Sequence, residues 1–119
     1  MNEVNVLIET IFSGFAVDGK EIPVAFLRYD GTSETYVVYS QTDADNSLSA
    51  DDDLINYAEY YDFDVFSKEN YFPIIESIIS LCKANGFVWQ PSRSSGDMYE
   101  DDTGYYHRTL NFAFLKGEN

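Results

Sequence analysis

Two segments of the chain alternate non-polar with polar residues over most of their length. Residues 56–68, NYAEYYDFDVFSK, place Tyr61, Phe63 and Val65 at every second position, with acids between them. Residues 105–116, YYHRTLNFAFLK, alternate in the same way. Successive side chains of a strand point to opposite faces of a sheet, so this pattern predicts two half-buried β-strands. The chain is therefore expected to fold around a sheet with one non-polar face.

Two further segments are rich in β-branched and aromatic residues. Residues 22–30, IPVAFLRYD, and 34–42, ETYVVYSQT, lie on either side of an Asp30-Gly31 pair. An Asp-Gly pair between two such segments is a strong hairpin signal, and it predicts two antiparallel strands. Pro23 has no backbone N–H to donate, which places the start of the first strand at a sheet edge.

Two helices are predicted at residues 2–15 and within 68–86, where non-polar residues recur at helical spacing. The second segment has Pro73 in the position of a first turn and Gly86 in that of a C-terminal cap. A short strand is predicted from FVWQPS, residues 87–92. The predicted fold class is α+β in the order α-β-β-β-α-β-β, with a mostly antiparallel sheet and two helices packed on one face.

Composition indicates one compact domain covering residues 1–119. The chain is 45% hydrophobic and 17% aromatic, which is too apolar for a disordered acidic chain. Its one cysteine, Cys82, falls within the second helical pattern and is expected to be a small buried side chain rather than a reactive thiol. We expect a soluble intracellular protein, because no targeting segment or membrane-spanning stretch is visible.

The net charge of -14, from 21 acids and 7 bases, restricts the partners of the protein. A surface this acidic repels phosphate backbones and anionic lipids unless its few bases are clustered, and here they are scattered along the chain. We therefore expect no direct sequence-specific nucleic-acid binding and no membrane partner.

Residues 43–53, DADNSLSADDD, are predicted to form a mobile acidic loop because they show no non-polar period. A calcium-loop alignment of this stretch puts Leu48 where a turn glycine is needed and Leu54 where a bidentate glutamate is needed. We expect a solvated loop and no metal site. The candidate acidic surface consists of Asp43, Asp45, Asp51, Asp52 and Asp53.

The stretch YEDDTGYYH places the only histidine, His107, close to Glu100 and two aspartates. An acid/base couple here would need a poised nucleophile, and no nucleophile motif is present, so we expect no enzyme activity and no cofactor. Gly104 explains the stretch as a tight turn, since glycine takes positive φ freely. Tyrosines beside charges are typical of protein–protein contacts. The candidate interface comprises Tyr99, Asp101, Asp102, Tyr105, Tyr106 and His107.

The chain resembles a family of small proteins from phages and prophages of Gram-positive bacteria. The resemblance covers nearly the whole chain and is most specific at Asp102-Thr103-Gly104, at Tyr106-His107 and at residues 83–87, KANGF. The family belongs to head-completion and tail-assembly modules, and its nearest functional class is the tail-terminator, or tail-completion, proteins.

The resemblance implies a structural protein that forms a ring, typically a hexamer, on the last ring of the tail tube. It would touch itself, the tail-tube protein and the head connector proteins. It would be found in the bacterial host cytoplasm during assembly and in the tail of the virion. A ring requires a heterologous interface, in which one patch of a subunit meets a different patch of its neighbour.

An acidic inhibitor or immunity protein is the alternative function. Small acidic domains bind basic partners by charge complementarity, which also speeds association. In that case the acids of residues 43–53, with Asp62 and Asp64, would form the contact. The alternative predicts a monomer whose partner binding weakens as salt is added.

Overall fold

The computed structural model of the protein describes residues 3–46 and 55–118. Within these residues two helices and eight strands follow one another along the chain, with a 3-10 turn at Pro91–Arg93 between β6 and β7. Their bounds are α1 (Glu3–Ile11), β1 (Ala16–Val17), β2 (Lys20–Glu21), β3 (Val24–Phe26), β4 (Tyr36–Asn46), β5 (Ile55–Ser67), α2 (Phe72–Ala84), β6 (Phe87–Trp89), β7 (Met98–Glu100) and β8 (Tyr105–Glu118).

Six strands form one sheet. Five of them follow the order β3-β4-β5-β8-β6, and the sixth, β7, pairs with β8 on the same side as β6 but further along the strand. The longest pairing joins β5 and β8, which run antiparallel from Ile55 opposite Glu118 to Ser67 opposite Tyr106. Strands β1 and β2 make a separate small hairpin. The two segments with the clearest alternation in the sequence are therefore the central pair of the sheet.

Both helices pack on one face of the sheet, which confirms the predicted α+β fold. Phe63 on β5 is fully buried, and its ring meets the rings of Phe12, Tyr39 and Phe112. Cys82 is buried on α2, as expected. The buried core comprises Val4, Ile8, Phe12, Ile22, Val37, Tyr39, Tyr61, Phe63, Val65, Tyr71, Ile74, Ile75, Ile78, Cys82, Phe87, Leu110 and Phe112.

The predicted antiparallel hairpin around Asp30-Gly31 is wrong, because β3 runs parallel to β4. Leu27 adopts a left-handed conformation with φ of 67°, and its N–H bonds to the carbonyl oxygen of Tyr39. The segment that follows leads back to the start of β4, and the ring of Tyr29 stacks on Tyr36 at a centroid distance of 4.6 Å. Pro23 nevertheless lies at a sheet edge, as expected, because β3 is an edge strand.

Other boundaries also differ from the sequence prediction. Helix α1 ends at Ile11 rather than continuing to residue 15, and Gly14 adopts a φ of 67° in the turn that follows. Residues 43–46 belong to β4 and not to a loop, while residues 47–53 of the predicted loop lie outside the described residues. Strands β1, β2 and β7 were not predicted.

Candidate interaction surfaces

The sheet has two different faces in the part of the chain that the structure describes. One face is covered by α1 and α2; we call the other, on which no described helix packs, the open face. A row of side chains crosses the open face, with one residue from each of four neighbouring strands. We call it the aromatic row: it consists of the rings of Tyr36 on β4, Phe66 on β5 and His107 on β8, and it ends at Met98 on β7.

The rings of the aromatic row stack on one another. Phe66 lies between Tyr36, at a centroid distance of 5.0 Å, and His107, at 4.2 Å. Tyr105 meets the rings of both Tyr36 and Phe66 edge-on. The Nζ of Lys68 lies 5.1 Å from the ring centroid of Tyr105, within the range of a cation–π contact. This end of the open face is thus a packed cluster of rings.

A polar stripe runs beside the aromatic row. Asn111 donates a hydrogen bond from Nδ2 to Oδ1 of Asp62 at 2.7 Å, and Thr109 donates from Oγ1 to Oδ1 of Asp64 at 2.6 Å. Burial raises the pKa of Asp62. Asn111 lies on the polar side of the alternation in β8, yet it is only 2% exposed, and its N–H donates to Oγ of Ser94, which follows the 3-10 turn.

The far end of the polar stripe is covered by Arg93. Its guanidinium carbon lies 3.7 Å from the ring centroid of Tyr60, and Nη2 lies 3.2 Å from Oδ2 of Asp43. Asp43 is therefore paired in the fold and not free in an acidic loop. Of the other residues of the candidate acidic surface, Asp45 lies in β4 opposite Ala58, and Asp51, Asp52 and Asp53 lie outside the described residues.

The structure divides the six residues of the candidate interface between two faces. Tyr105 and His107 belong to the open face and are half-buried in the ring cluster. Tyr99 and Tyr106 are paired across β7 and β8 on the helix side, and they are 54% and 44% exposed. Asp101 and Asp102 are exposed in the turn, where Gly104 has the expected positive φ of 76°.

The helix-side tyrosines form part of a larger exposed set. The ring of Tyr106 lies 4.9 Å from Tyr99 and 6.3 Å from the buried ring of Tyr71, and Tyr71 in turn meets Phe72 at 5.4 Å. Phe72 begins α2 and is exposed. We call Phe72, Tyr99 and Tyr106 the hairpin patch. It lies where the start of α2 meets the β7–β8 hairpin.

Exposed non-polar side chains also lie at both edges of the sheet. Phe26 and Leu27 mark the β3 edge, and Leu27 is 63% exposed despite its strained backbone. Val88 and Leu115 mark the β6 edge, where Leu115 is 60% exposed. We call these two pairs the β3-edge pair and the β6-edge pair.

The surroundings of His107 are those of a packed ring. Its Nε2 lies 3.7 Å from Oδ1 of Asp64, beyond hydrogen-bonding distance, and this nitrogen is buried without a hydrogen-bond partner.

Among residues 3–46 and 55–118, no three His, Cys, Asp or Glu side chains are grouped so that they would hold a metal ion. Neither α1 nor α2 is long and apolar enough to cross a membrane.

No family model matches the chain, and no curated protein is significantly similar to it. Any functional argument therefore rests on the residues and their geometry.

The sequence analysis did not identify Tyr36, Phe66 and Arg93 as surface-forming residues. Phe66 carried a signal, because it falls in phase with Asp62 and Asp64 on the polar side of β5. Arg93 carried none, since its contact with Asp43 joins residues fifty positions apart.

Proposed function

We propose that the protein is a structural component of phage tail assembly, a tail terminator or another head–tail joining component, which acts as a ring on the tail tube. The proposal starts from the resemblance around Asp102-Thr103-Gly104 and Tyr106-His107. The observation that carries it is the exposure of non-polar side chains at both edges of the sheet, in the β3-edge pair and the β6-edge pair.

This arrangement suits head-to-tail contacts between copies. The order β3-β4-β5-β8-β6 separates the outermost strands by four strand spacings, about 19 Å. The two pairs differ in residue type and backbone, so they form two different patches, as a heterologous interface requires. The strained φ of Leu27 adds support, because such strain persists where the surrounding structure holds it and is common at functional positions.

The inhibitor alternative receives less support from the described acids. It needs Asp62, Asp64 and Asp43 to be available to a basic partner. The first two accept hydrogen bonds from Asn111 and Thr109, and the third is paired with Arg93. These three acids of the proposed contact are therefore already engaged within the chain.

Native mass spectrometry over a wide concentration range, with light scattering at two salt concentrations, tests the proposal. We expect a closed oligomer that becomes more populated as salt is added, because screening reduces repulsion between subunits of charge -14. Leu27→Ser and Leu115→Ser should each prevent closure, whereas Val6→Ser, at an exposed position of α1, should not.

A mixture of the two edge variants tests the head-to-tail geometry. Each variant keeps one intact edge, so Leu27→Ser and Leu115→Ser should form a heterodimer that cannot close. A strict monomer at every concentration and at both salt concentrations would overturn the proposal. Capture of a basic protein that is lost on neutralising Asp43, Asp62 and Asp64 would then favour the inhibitor.

A further inference from the structure

The hairpin patch lies on the helix side, away from the β3-edge and β6-edge pairs proposed for the ring contact. We propose that it is a docking surface for an extended basic segment of a partner protein, rich in lysine or arginine. The proposal does not depend on the ring, because neither edge pair contributes a residue to this surface.

The rings provide a continuous surface with one fixed member. Tyr71 is buried, and it donates a hydrogen bond from its hydroxyl to Oδ1 of Asp97, which holds the ring in place. Burial and this hydrogen bond raise the pKa of Tyr71, so it stays a neutral donor. The three exposed rings extend from this anchor on both sides. A groove of about 350 Å³ runs beside them and is lined by Lys68, Glu69, Asn70, Tyr71, Phe72 and Tyr106.

The charges around the patch favour a cationic occupant. Asp101 and Asp102 are exposed in the adjacent turn and make no ion pair within the described residues. Glu69 lines the groove too, but it is paired with Lys20 at 3.3 Å, so the unpaired acids beside the patch are those of the turn. The cation of the groove, Lys68, is already paired with Glu34 at 3.3 Å. An arginine or lysine over an exposed tyrosine ring gains about 0.5–1 kcal/mol from the cation–π contact, and the nearby carboxylates add to that attraction.

A second copy of the chain fits this surface less well. Each copy brings a further charge of -14. Six of its seven basic side chains are already held in ion pairs with its own acids, so a copy has few cations to offer. A partner with free basic residues has the complementary charge, and the field of the whole protein would also speed its approach.

The test is an NMR titration of the isotope-labelled protein with a synthetic peptide of alternating arginine and valine. A peptide of alternating glutamate and valine is the charge control. We expect amide shifts confined to the surroundings of Asn70, Tyr99 and Tyr106 with the basic peptide alone. Shifts centred on another face, or equal binding of both peptides, would overturn the proposal.

Matched variants separate this patch from general attraction to an acidic protein. Tyr106→Ser, and separately Asp101→Asn with Asp102→Asn, should weaken the basic peptide about tenfold, which corresponds to about 1.4 kcal/mol. The controls are Val6→Ser, which changes another exposed non-polar residue, and Glu9→Gln with Glu21→Gln, which removes the same charge elsewhere. Equal weakening by test and control variants would mean that only net charge matters and would refute the site.

Two further readouts keep this proposal separate from the ring. Leu27→Ser leaves the patch intact, so it should bind the peptide with unchanged affinity whether or not rings form. Circular dichroism checks that each variant is folded. Concentration-dependent shifts at the patch without peptide would identify a second copy as the occupant and would overturn the basic-segment proposal.

Discussion

The imidazole of His107 lies flat against the ring of Phe66, with centroids 4.2 Å apart and planes 11° from parallel. The two residues are directly opposite each other on β8 and β5, and Tyr36 stacks on the other side of Phe66. The only histidine of the chain is therefore a member of a stack of rings. This position accounts for it without any catalytic partner.

The stack predicts a measurable coupling between the two residues. Phe66→Ala and His107→Ala should each destabilise the protein, and the double variant should lose less than the sum by about 0.5–1.5 kcal/mol. Unfolding in urea gives the three values. Phe66→Ala combined with Val88→Ala, at a distant edge position, is the control and should be additive; the absence of coupling in the His107 pair would show that the stacking contributes nothing.

Cys82 should be protected from thiol reagents in the native protein. The side chain is fully buried on α2, and burial raises the pKa of its thiol. Labelling with a disulfide reagent at pH 8 should be slower than in urea by about a thousandfold or more, because a domain stable by about 5 kcal/mol rarely opens. Ser80→Cys in a Cys82→Ala background exposes a thiol on the same helix and should react at once. Comparable rates for the two thiols would contradict the burial of Cys82.

Asp62 should make the stability of the protein fall as pH rises. Burial raises its folded-state pKa above the ordinary value of 3.8, so the native state binds this proton more tightly than the unfolded state. The cost of the buried charge is absent below pH 3.8 and is complete above the raised pKa. Asp62→Asn removes the charge and keeps an oxygen that accepts from Asn111, so it should be more stable than the wild type at neutral pH.

Urea unfolding at a series of pH values measures this difference. The advantage of Asp62→Asn should shrink as pH falls and vanish near pH 3. Glu9→Gln, at an exposed position of α1, controls for the loss of one negative charge from the whole protein. An advantage that is the same for both variants at every pH would assign the effect to net charge instead of burial.

Gly104 should be sensitive to substitution. Its φ of 76° lies in the left-handed region, and its N–H bonds to the carbonyl oxygen of Glu100 at 2.8 Å to close the β7–β8 turn. Gly104→Ala should cost about 1–2 kcal/mol of unfolding free energy, because a Cβ disfavours this conformation. Gly96→Ala, where no atom would meet the added Cβ, should change stability by less than about 0.5 kcal/mol. Equal thermal midpoints for the two variants would contradict the prediction that the turn requires a glycine at position 104.

Local patterns in the sequence predicted the central part of the fold. The alternation of Tyr61, Phe63 and Val65 requires a half-buried strand, and the structure places all three in the core. Pro73 and Gly86 indicated the two ends of α2 correctly, since Pro73 lies in its first turn and Gly86 has a φ of 90°. These features depend on residues close together in the chain, which is why the sequence reveals them.

Features that depend on distant residues were not predictable in this way. The parallel pairing of β3 occurs together with a contact between Tyr29 and Tyr36, and an Asp-Gly pair carries no information about either. The division of Tyr105 from Tyr106 between two faces follows from alternation alone. Which face the helices cover, however, emerges only when the whole sheet is assembled.

The last strand of the sheet in chain order lies inside it. β8 pairs with β5 on one side and with β6 and β7 on the other, so its absence would leave β6 and β7 without a neighbour and β5 paired with β4 alone. A chain emerging during synthesis cannot close its core before residues 105–118 are available. Until then the backbone edge of β5 is open to pairing with other chains, and a chaperone that shields it would improve the yield of native protein.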